Sequence, residues 1–463
     1  MRNRTYRAVT LAALAAGIAA VTGASAAHRT PAASARPLVA QPAHSRALVS
    51  PLPTSQCLSL VGIRCYSPAQ MEVAYDLASL HAVGLTGAGQ TIAIVDSFGS
   101  PTIRRDLHGF DQVFGVTNPN GVPIDPAIAK DPKLTIIRPA GKVPKFRASN
   151  SEMVGWAGET TLDVEWAHVF APGANILLVE TPVSETEGVH GFPQMVKAES
   201  YVIKHHLASV ISQSFGATEN TFKTKKSLLT LRSAFKLAAK SGVTVLAASG
   251  DSGTAGYKLN GRDLYPFRVN SWPSSDPLVT SVGGTQLELD DAGNRLSPDV
   301  VWNDGSGAGG GGLSRIFARP AYQSAVSGIV GSHRGTPDIS LSAAVDGGVW
   351  VYGSYVGQAS AYDVYGGTSA ATPELAGIVA IANQSAGKPL GQLNPLLYSL
   401  TGDDGIVDVT SGNNDIGPFR NSNGRRYHVP GFTALAGYDL ASGLGTVDAA
   451  KLVPALVATA AAR

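Results

Sequence analysis

The sequence predicts an α/β protein built on a doubly wound, mostly parallel sheet with helices on both faces, and three observations carry that prediction. Apolar runs at Gln90–Val95, Ile176–Val179, Ser209–Ile211 and Val243–Ala247 read as short strands. They lack polar alternation, as strands covered on both faces do. Helical stretches at 151–169, 194–206 and 222–240 separate them, which is the pattern of parallel crossovers. Finally, residues able to do chemistry fall at the strand ends: Asp96, Ser214-Phe215-Gly216, and Ser249-Gly250-Asp251-Ser252-Gly253. In such sheets the working crevice lies beyond the C-terminal ends of the strands. No internal repeat and no second domain boundary are visible.

The chain has 463 residues, a formal net charge of +2 and only 15% charged residues, a balance that argues against nucleic-acid and polybasic membrane partners. Its start carries Arg2, Arg4 and Arg7, an apolar run from Ala8 to about Ala20, and Ala24-Ser25-Ala26. That order predicts an export signal over residues 1–26, cut after Ala26. The apolar run is short and broken for a membrane anchor, and the interrupted arginines do not indicate a twin-arginine route. The expectation is a secreted, extracellular, soluble monomer.

Residues 27–65 read as a flexible leader or short pro-segment, with order starting near Tyr66 and a helix opening at Ser67-Pro68 toward Leu80. Cys57 and Cys65 are the only cysteines, and export to an oxidising compartment predicts a disulfide between them. So short a loop contributes roughly 2–3 kcal/mol in the loop-entropy picture.

Gly366-Gly367-Thr368-Ser369-Ala370-Ala371-Thr372-Pro373 places a serine at a tight turn, ahead of a helix whose Leu375, Ile378, Val379 and Ala382 fit one buried stripe. Ser369 reads either as an N-cap or as an exposed hydroxyl near the backbone N–H groups of a helix start. A nucleophilic serine needs a proton acceptor, usually a histidine oriented by a carboxylate. Asp96 has no His-Gly-Thr-His segment after it, and His108 and His168 lack that surrounding pattern. Asp96 is therefore expected to be a turn or capping carboxylate, and the two histidines surface or capping residues.

The other acceptor is on the helix around Gly158-Glu159-Thr160-Thr161-Leu162-Asp163. Glu159 and Asp163 are four apart, so their carboxylates share one face and repel unless they share a proton or have a partner. Asp251 sits in a Gly-rich turn directly after a strand, and a carboxyl there can donate a hydrogen bond only when protonated. The Gly309–Gly312 run reads equally as a flexible linker or as a loop along which substrate backbone lies.

As a set these residues resemble the sedolisin family of serine-carboxyl peptidases, which share the subtilisin-like fold. The resemblance spans roughly residues 66–455. It rests on Tyr66-Ser67-Pro68-Ala69-Gln70, Ile92–Asp96, Glu159 with Asp163, Ser212–Gly216, Ser249–Gly253, Thr336–Ser340 and Gly366–Pro373. It implies Ser369 as nucleophile, Glu159 as general base and acid, Asp163 as the group that orients Glu159, and Asp251 as oxyanion donor. Polypeptides would be the substrates. It also implies one structural Ca2+ near the C-terminus, held by Asp408 and Asp439 through carboxylates and by Val409, Leu435 and Gly437 through backbone carbonyls. The family often has glycine where Leu435 stands.

Two features depart from the family. Only residues 27–65 separate the expected signal cut from Tyr66, where many members carry a long folded propeptide. The sequence pI of about 8.4 is unlike strongly acidic, acid-stable proteins. Activity is nonetheless expected at acidic pH, falling toward neutrality. The competing readings are a histidine-dependent subtilisin relative using Asp96 and a catalytically inactive binding member.

Overall fold

The computed structural model describes residues 50–116, 132–357 and 362–463. The expected export signal and the leader up to residue 49 lie outside them. Eight strands form one sheet: Thr91–Ser97 (β1), Leu134–Ile137 (β2), Asn175–Thr181 (β3), Val210–Gln213 (β4), Thr244–Ala248 (β5), Thr280–Gln286 (β6), Val300–Val301 (β7) and Ile339–Ser342 (β8). The order is β2-β3-β1-β4-β5-β6, all parallel, with β8 parallel to β6 and the two-residue β7 antiparallel at its end. The order reverses at β1, which has β3 on one side and β4 on the other, so the switch point falls where β1 ends in Asp96 and Ser97.

Alternate residues of each strand feed two cores, as the two-residue repeat of a strand requires. Ile92, Ile94 and Leu178 face one layer, Ala93, Val95 and Val179 the other. The first layer holds the helices Ser151–Phe170 and Thr368–Ala386, which pack against each other. They are called the carboxylate helix and the serine helix below. The second layer holds Phe192–Lys204 and Ser233–Ser241.

The stripes read from sequence understate both first-layer helices. The carboxylate helix is buried continuously from Trp156 to Phe170, and the serine helix from Thr368 to Asn383. Small residues permit this. At Gly377 an added Cβ would collide with Phe170 at the end of the carboxylate helix.

The four expected strands are present within two residues of their predicted limits; the short apolar run of β2 was not read as a strand, and β6 and β8 gave no apolar run to read. In β6, Gly283 and Gly284 stand where a Cβ would strike Pro337, Ser340 and Ala343, so glycine lets β8 and its flanks approach.

Three expectations about local order need correction. Residues 54–60 are helical, and Cys65–Tyr66 pairs parallel with the strand Gly348–Tyr352, so order begins ahead of Tyr66. The Cys57–Cys65 disulfide joins these elements across a Cα separation of 6.0 Å. The helix from Ser67 is two pieces, Pro68–Ala74 and Leu77–Ala82, because Asp76 adopts a left-handed backbone with φ 55°. The stretch 222–240 likewise divides into Lys225–Leu229, a 3-10 turn at Thr230–Arg232, and Ser233–Ser241.

Candidate active site

The carboxylate helix starts at Asn150, whose side-chain oxygen caps it by accepting from the Glu152 and Met153 N–H groups. Glu159 and Asp163 follow one turn apart in the fully buried part of the helix. Ser369 is the second residue of the serine helix, not a residue ahead of it. Gly367, with φ 98°, makes the turn, and its N–H donates to the Ala343 carbonyl just past the end of β8 (2.6 Å). The serine turn is thereby tied to the C-terminal edge of the sheet.

The Ser369 hydroxyl is the hydrogen-bonding group that favours the ionised form of Glu159. Neither Glu159 oxygen completes a hydrogen bond of standard geometry, so this contact is a loose one. Such bonds commonly tighten only once substrate is bound. Asp163 accepts from the Ser214 hydroxyl at 2.8 Å, and the same hydroxyl lies 3.3 Å from the Ser369 carbonyl. Ser214, in the segment after β4, thus bridges the acid pair and the backbone of the serine turn.

Asp96 is not a turn or capping carboxylate. It is fully buried at the end of β1, neither of its oxygens has a partner of standard geometry, and its charge bears on both Glu159 and Asp163. Burial pushes its pKa up to about 7, against the lowering effect of the Thr160 hydroxyl. Its place at the switch point was the available signal, and the missing histidine segment masked it. His168 is likewise buried, 3.4 Å from Asp111, rather than on the surface.

Asp251 follows β5 and meets the start of the serine helix. Its Oδ1 accepts from both the N–H (2.8 Å) and the hydroxyl (2.9 Å) of Thr368, while its Oδ2 is sealed from solvent and has no partner. Burial raises the Asp251 pKa to about 7, with Thr368 opposing. Below that pH the carboxyl is neutral, and the oxygen not occupied by Thr368 is the one placed to carry a proton that it can donate. Thr368 was not singled out from sequence, although it adjoins Ser369.

The Gly309–Gly312 run is not a flexible linker. It is buried: Gly310 donates to the Gly250 carbonyl at 2.7 Å, and the Gly309 carbonyl accepts from Asn414 at 3.1 Å. A Cβ at Gly310 would collide with Ser249. The run packs the Asp251 turn from outside.

Many other carboxyls are buried, and their pKa values rise for the same reason. Glu187 and Glu199 reach about 8, and burial also holds Glu159, Asp163, Glu165 and Glu374 well above the usual range. Each group binds its proton more tightly in the folded than in the unfolded chain. That stabilisation is therefore complete below the unfolded pKa of about 4 and is lost as pH rises through the folded pKa, about 8 for Glu187 and Glu199 and about 7 for Asp96 and Asp251. Between those limits each such group removes up to about 1.4 kcal/mol per pH unit. Thermal unfolding followed from pH 3 to pH 8 should show the highest Tm on the acid side and a fall across that window; a Tm that rises with pH would contradict it.

The two halves of the expected cation site lie side by side. Gly437 N–H donates to Asp408 at 2.8 Å, Leu435 N–H donates to Asp439 at 2.9 Å, and the Ser442 hydroxyl reaches both Asp439 and the Val409 carbonyl. Leu435 does not have a left-handed backbone, so the replacement of glycine there brings no strain. Among the described residues no three acidic, histidine or cysteine side chains converge as ligands. The donors expected from sequence are two carboxylates and three carbonyls, all oxygen, which is the ligand chemistry of a hard cation.

Comparison with known proteins follows the same lines. The Subtilase family model matches residues 151–395. Kumamolisin of Bacillus sp. (strain MN-32) is 34% identical over 404 residues, covering 85% of this chain and 64% of kumamolisin. Sedolisin of Pseudomonas sp. (strain 101) is 30% identical over 423 residues, covering 89% and 64%. Tripeptidyl-peptidase 1 of Homo sapiens is 31% identical over 339 residues, covering 67% and 55%. The chain thus spans less than two thirds of the length of these relatives. The solved structure of Pseudomonas sedolisin, a serine-carboxyl proteinase complexed with two molecules of pseudo-iodotyrostatin, superposes with a TM-score of 0.68 at 27% identity, covering 85% of this chain and 98% of that one.

Proposed function

We propose that this chain, which belongs to the sedolisin family within the subtilases, hydrolyses peptide bonds at acidic pH with Ser369 as nucleophile and carboxyl groups alone as its activators. The observation that carries the reading is the sealed Glu159–Asp163 pair, with the Ser369 hydroxyl as the hydrogen-bonding group on Glu159.

In this mechanism Ser369 Oγ attacks the scissile carbonyl carbon while its proton passes to Glu159. Asp163, held by Ser214, orients Glu159 and shares a proton with it, because two buried carboxylates one helical turn apart cannot both ionise cheaply. The oxyanion accepts hydrogen bonds from protonated Asp251 Oδ2 and from the Ser369 N–H at the first turn of the helix. Glu159 then gives its proton to the leaving amine, and the acyl group remains on Ser369. Water attacks that ester, Glu159 takes a proton of the water and passes it to Ser369 Oγ as the intermediate collapses, and the free serine is restored with release of the acid product. Sharing one proton leaves one negative charge on the pair, and that charge accepts the Ser369 proton.

The C-terminal loops would hold one Ca2+ through Asp408, Asp439 and the carbonyls of Val409, Leu435 and Gly437. The ion supplies a structural tie between the two loops and no catalytic step. Binding to the folded chain only, at a hundredfold excess over Kd, stabilises by about 2.7 kcal/mol. A chelator should therefore lower Tm and added Ca2+ restore it; an unchanged Tm would remove the ion from the account.

The chain is read as secreted, from the charged and apolar start over residues 1–26. Among the described residues no helix is long and apolar enough to cross a membrane. The activity is tested by incubating the protein with a peptide library at pH 3–5 and identifying products by mass spectrometry. Cleavage is expected, and its absence across that range would leave the inactive binding member as the reading.

A further inference from the structure

A charged groove outside the catalytic machinery has no role in the mechanism above. It measures about 690 Å³ and opens between the segment after β1 and the loop that leads into the carboxylate helix. From residue 133 to residue 151 the chain carries Lys133, Arg138, Lys142, Lys145 and Arg147 and no acidic residue, in a protein of net charge +2. Arg138, Lys142 and Lys145 of that stretch line the groove, with Arg104 and Arg105 on the facing wall and Glu180 as its one acid.

Glu180 is matched by Arg138 at 2.6 Å, and Arg105 lies 3.8 Å from Asp106. Arg104 donates to the Leu134 carbonyl, a neutral partner. Among the described residues, Arg104, Lys142 and Lys145 have no acidic partner, and three positive charges remain over one groove. Glu180 stands opposite Asp96 in the register of β3 against β1, and Asp96 bears on the Glu159–Asp163 pair. One wall of the groove, at Glu180, is therefore one strand away from the buried Asp96. The chain's own residues 27–50 hold no acidic side chain and cannot complement it.

We propose that this groove is a subsite for anionic side chains of the polypeptide substrate, so that Asp or Glu a few residues from the scissile bond promotes cleavage. The proposal rests on the peptidase reading above. The three charges are exposed, so each pair adds little alone, and two or three together should raise kcat/KM by about 3–10-fold, mostly through KM.

The test uses matched peptides that differ only in Glu against Gln, scanned along the positions flanking the bond, at about pH 5, where peptide carboxyls are ionised. The Glu peptides should be preferred at one or two adjacent positions. That ratio should fall toward one in about 0.5 M salt, where charges are screened within a few ångströms, and in the double variant K142Q/K145Q. The salt titration uses the unaltered protein and decides the question if the variant does not fold. A ratio of one at every position, with the Gln peptides still cleaved, overturns the subsite alone; failure to cleave either series overturns the peptidase reading and the subsite with it. Binding of a sulfated glycan with no effect of peptide charge would assign the groove to another ligand and also overturn the proposal.

Discussion

Replacing Ser369 with alanine is expected to lower kcat/KM for peptide hydrolysis by ~10⁶-fold, the scale on which a subtilisin-type site loses activity when its nucleophile is removed. The substitution removes only Oγ. The Cβ stays, the turn at Gly367 keeps its bond to Ala343, and Ser214 still reaches the backbone carbonyl of residue 369. The fold should be unaffected, so far-UV circular dichroism and Tm serve as controls. A residual rate from oxyanion stabilisation and binding is expected. Turnover within about tenfold of the unaltered protein would mean that another residue is the nucleophile.

Glu159→Gln should cost ~10²–10⁴-fold in kcat, the usual contribution of a general base. Glutamine matches glutamate in shape, so packing inside the carboxylate helix is retained. Burial and the Asp163 charge oppose ionisation of Glu159. A neutral amide should therefore leave Tm near pH 6 unchanged or higher while activity falls. Loss of rate without loss of stability separates catalysis from structure. A histidine-dependent enzyme would keep its rate after this change. The histidines with acidic or carbonyl partners are engaged elsewhere: His81 with Glu72 and the Phe170 carbonyl, His168 with Asp111, His333 with the Ser314 carbonyl, His428 with Asp415.

The sheet was legible because β1, β3, β4 and β5 are short apolar runs between helices, and such runs have few other uses in a chain this size. β6 was not, because Thr280–Gln286 replaces apolar bulk with two glycines that let β8 and its flanks approach. The buried helices were only half legible. A helix surrounded by protein on all sides has no polar face to set off a stripe, and Ala and Gly weigh little in any periodic pattern. At the site, Glu159, Asp163, Asp251 and Ser369 were readable as types and spacings. Asp96 was misread because its neighbours along the chain lack a histidine, whereas its surroundings come from the helix across the sheet. Ser214 was placed at a strand end but given no role, and Thr368 was given none either, for a related reason: a hydroxyl's part in a site depends on which carboxylate it faces, and Asp163 lies 51 residues from Ser214 and Asp251 lies 117 from Thr368.

The central claim is that carboxyl groups alone run the chemistry, with a neutral Asp251 as donor to the oxyanion. The most direct test is the pH dependence of kcat/KM on one neutral peptide, from pH 3 to pH 8. Burial places the Asp251 pKa near 7. As pH rises through that value the donor becomes a second negative charge beside the oxyanion, and loss of one such donor costs ~10²–10³ in rate. The account predicts an acid optimum and a falling limb approaching neutrality. A rate that instead rises through about pH 6.5, as an imidazole loses its proton, and holds level to pH 8 would contradict it.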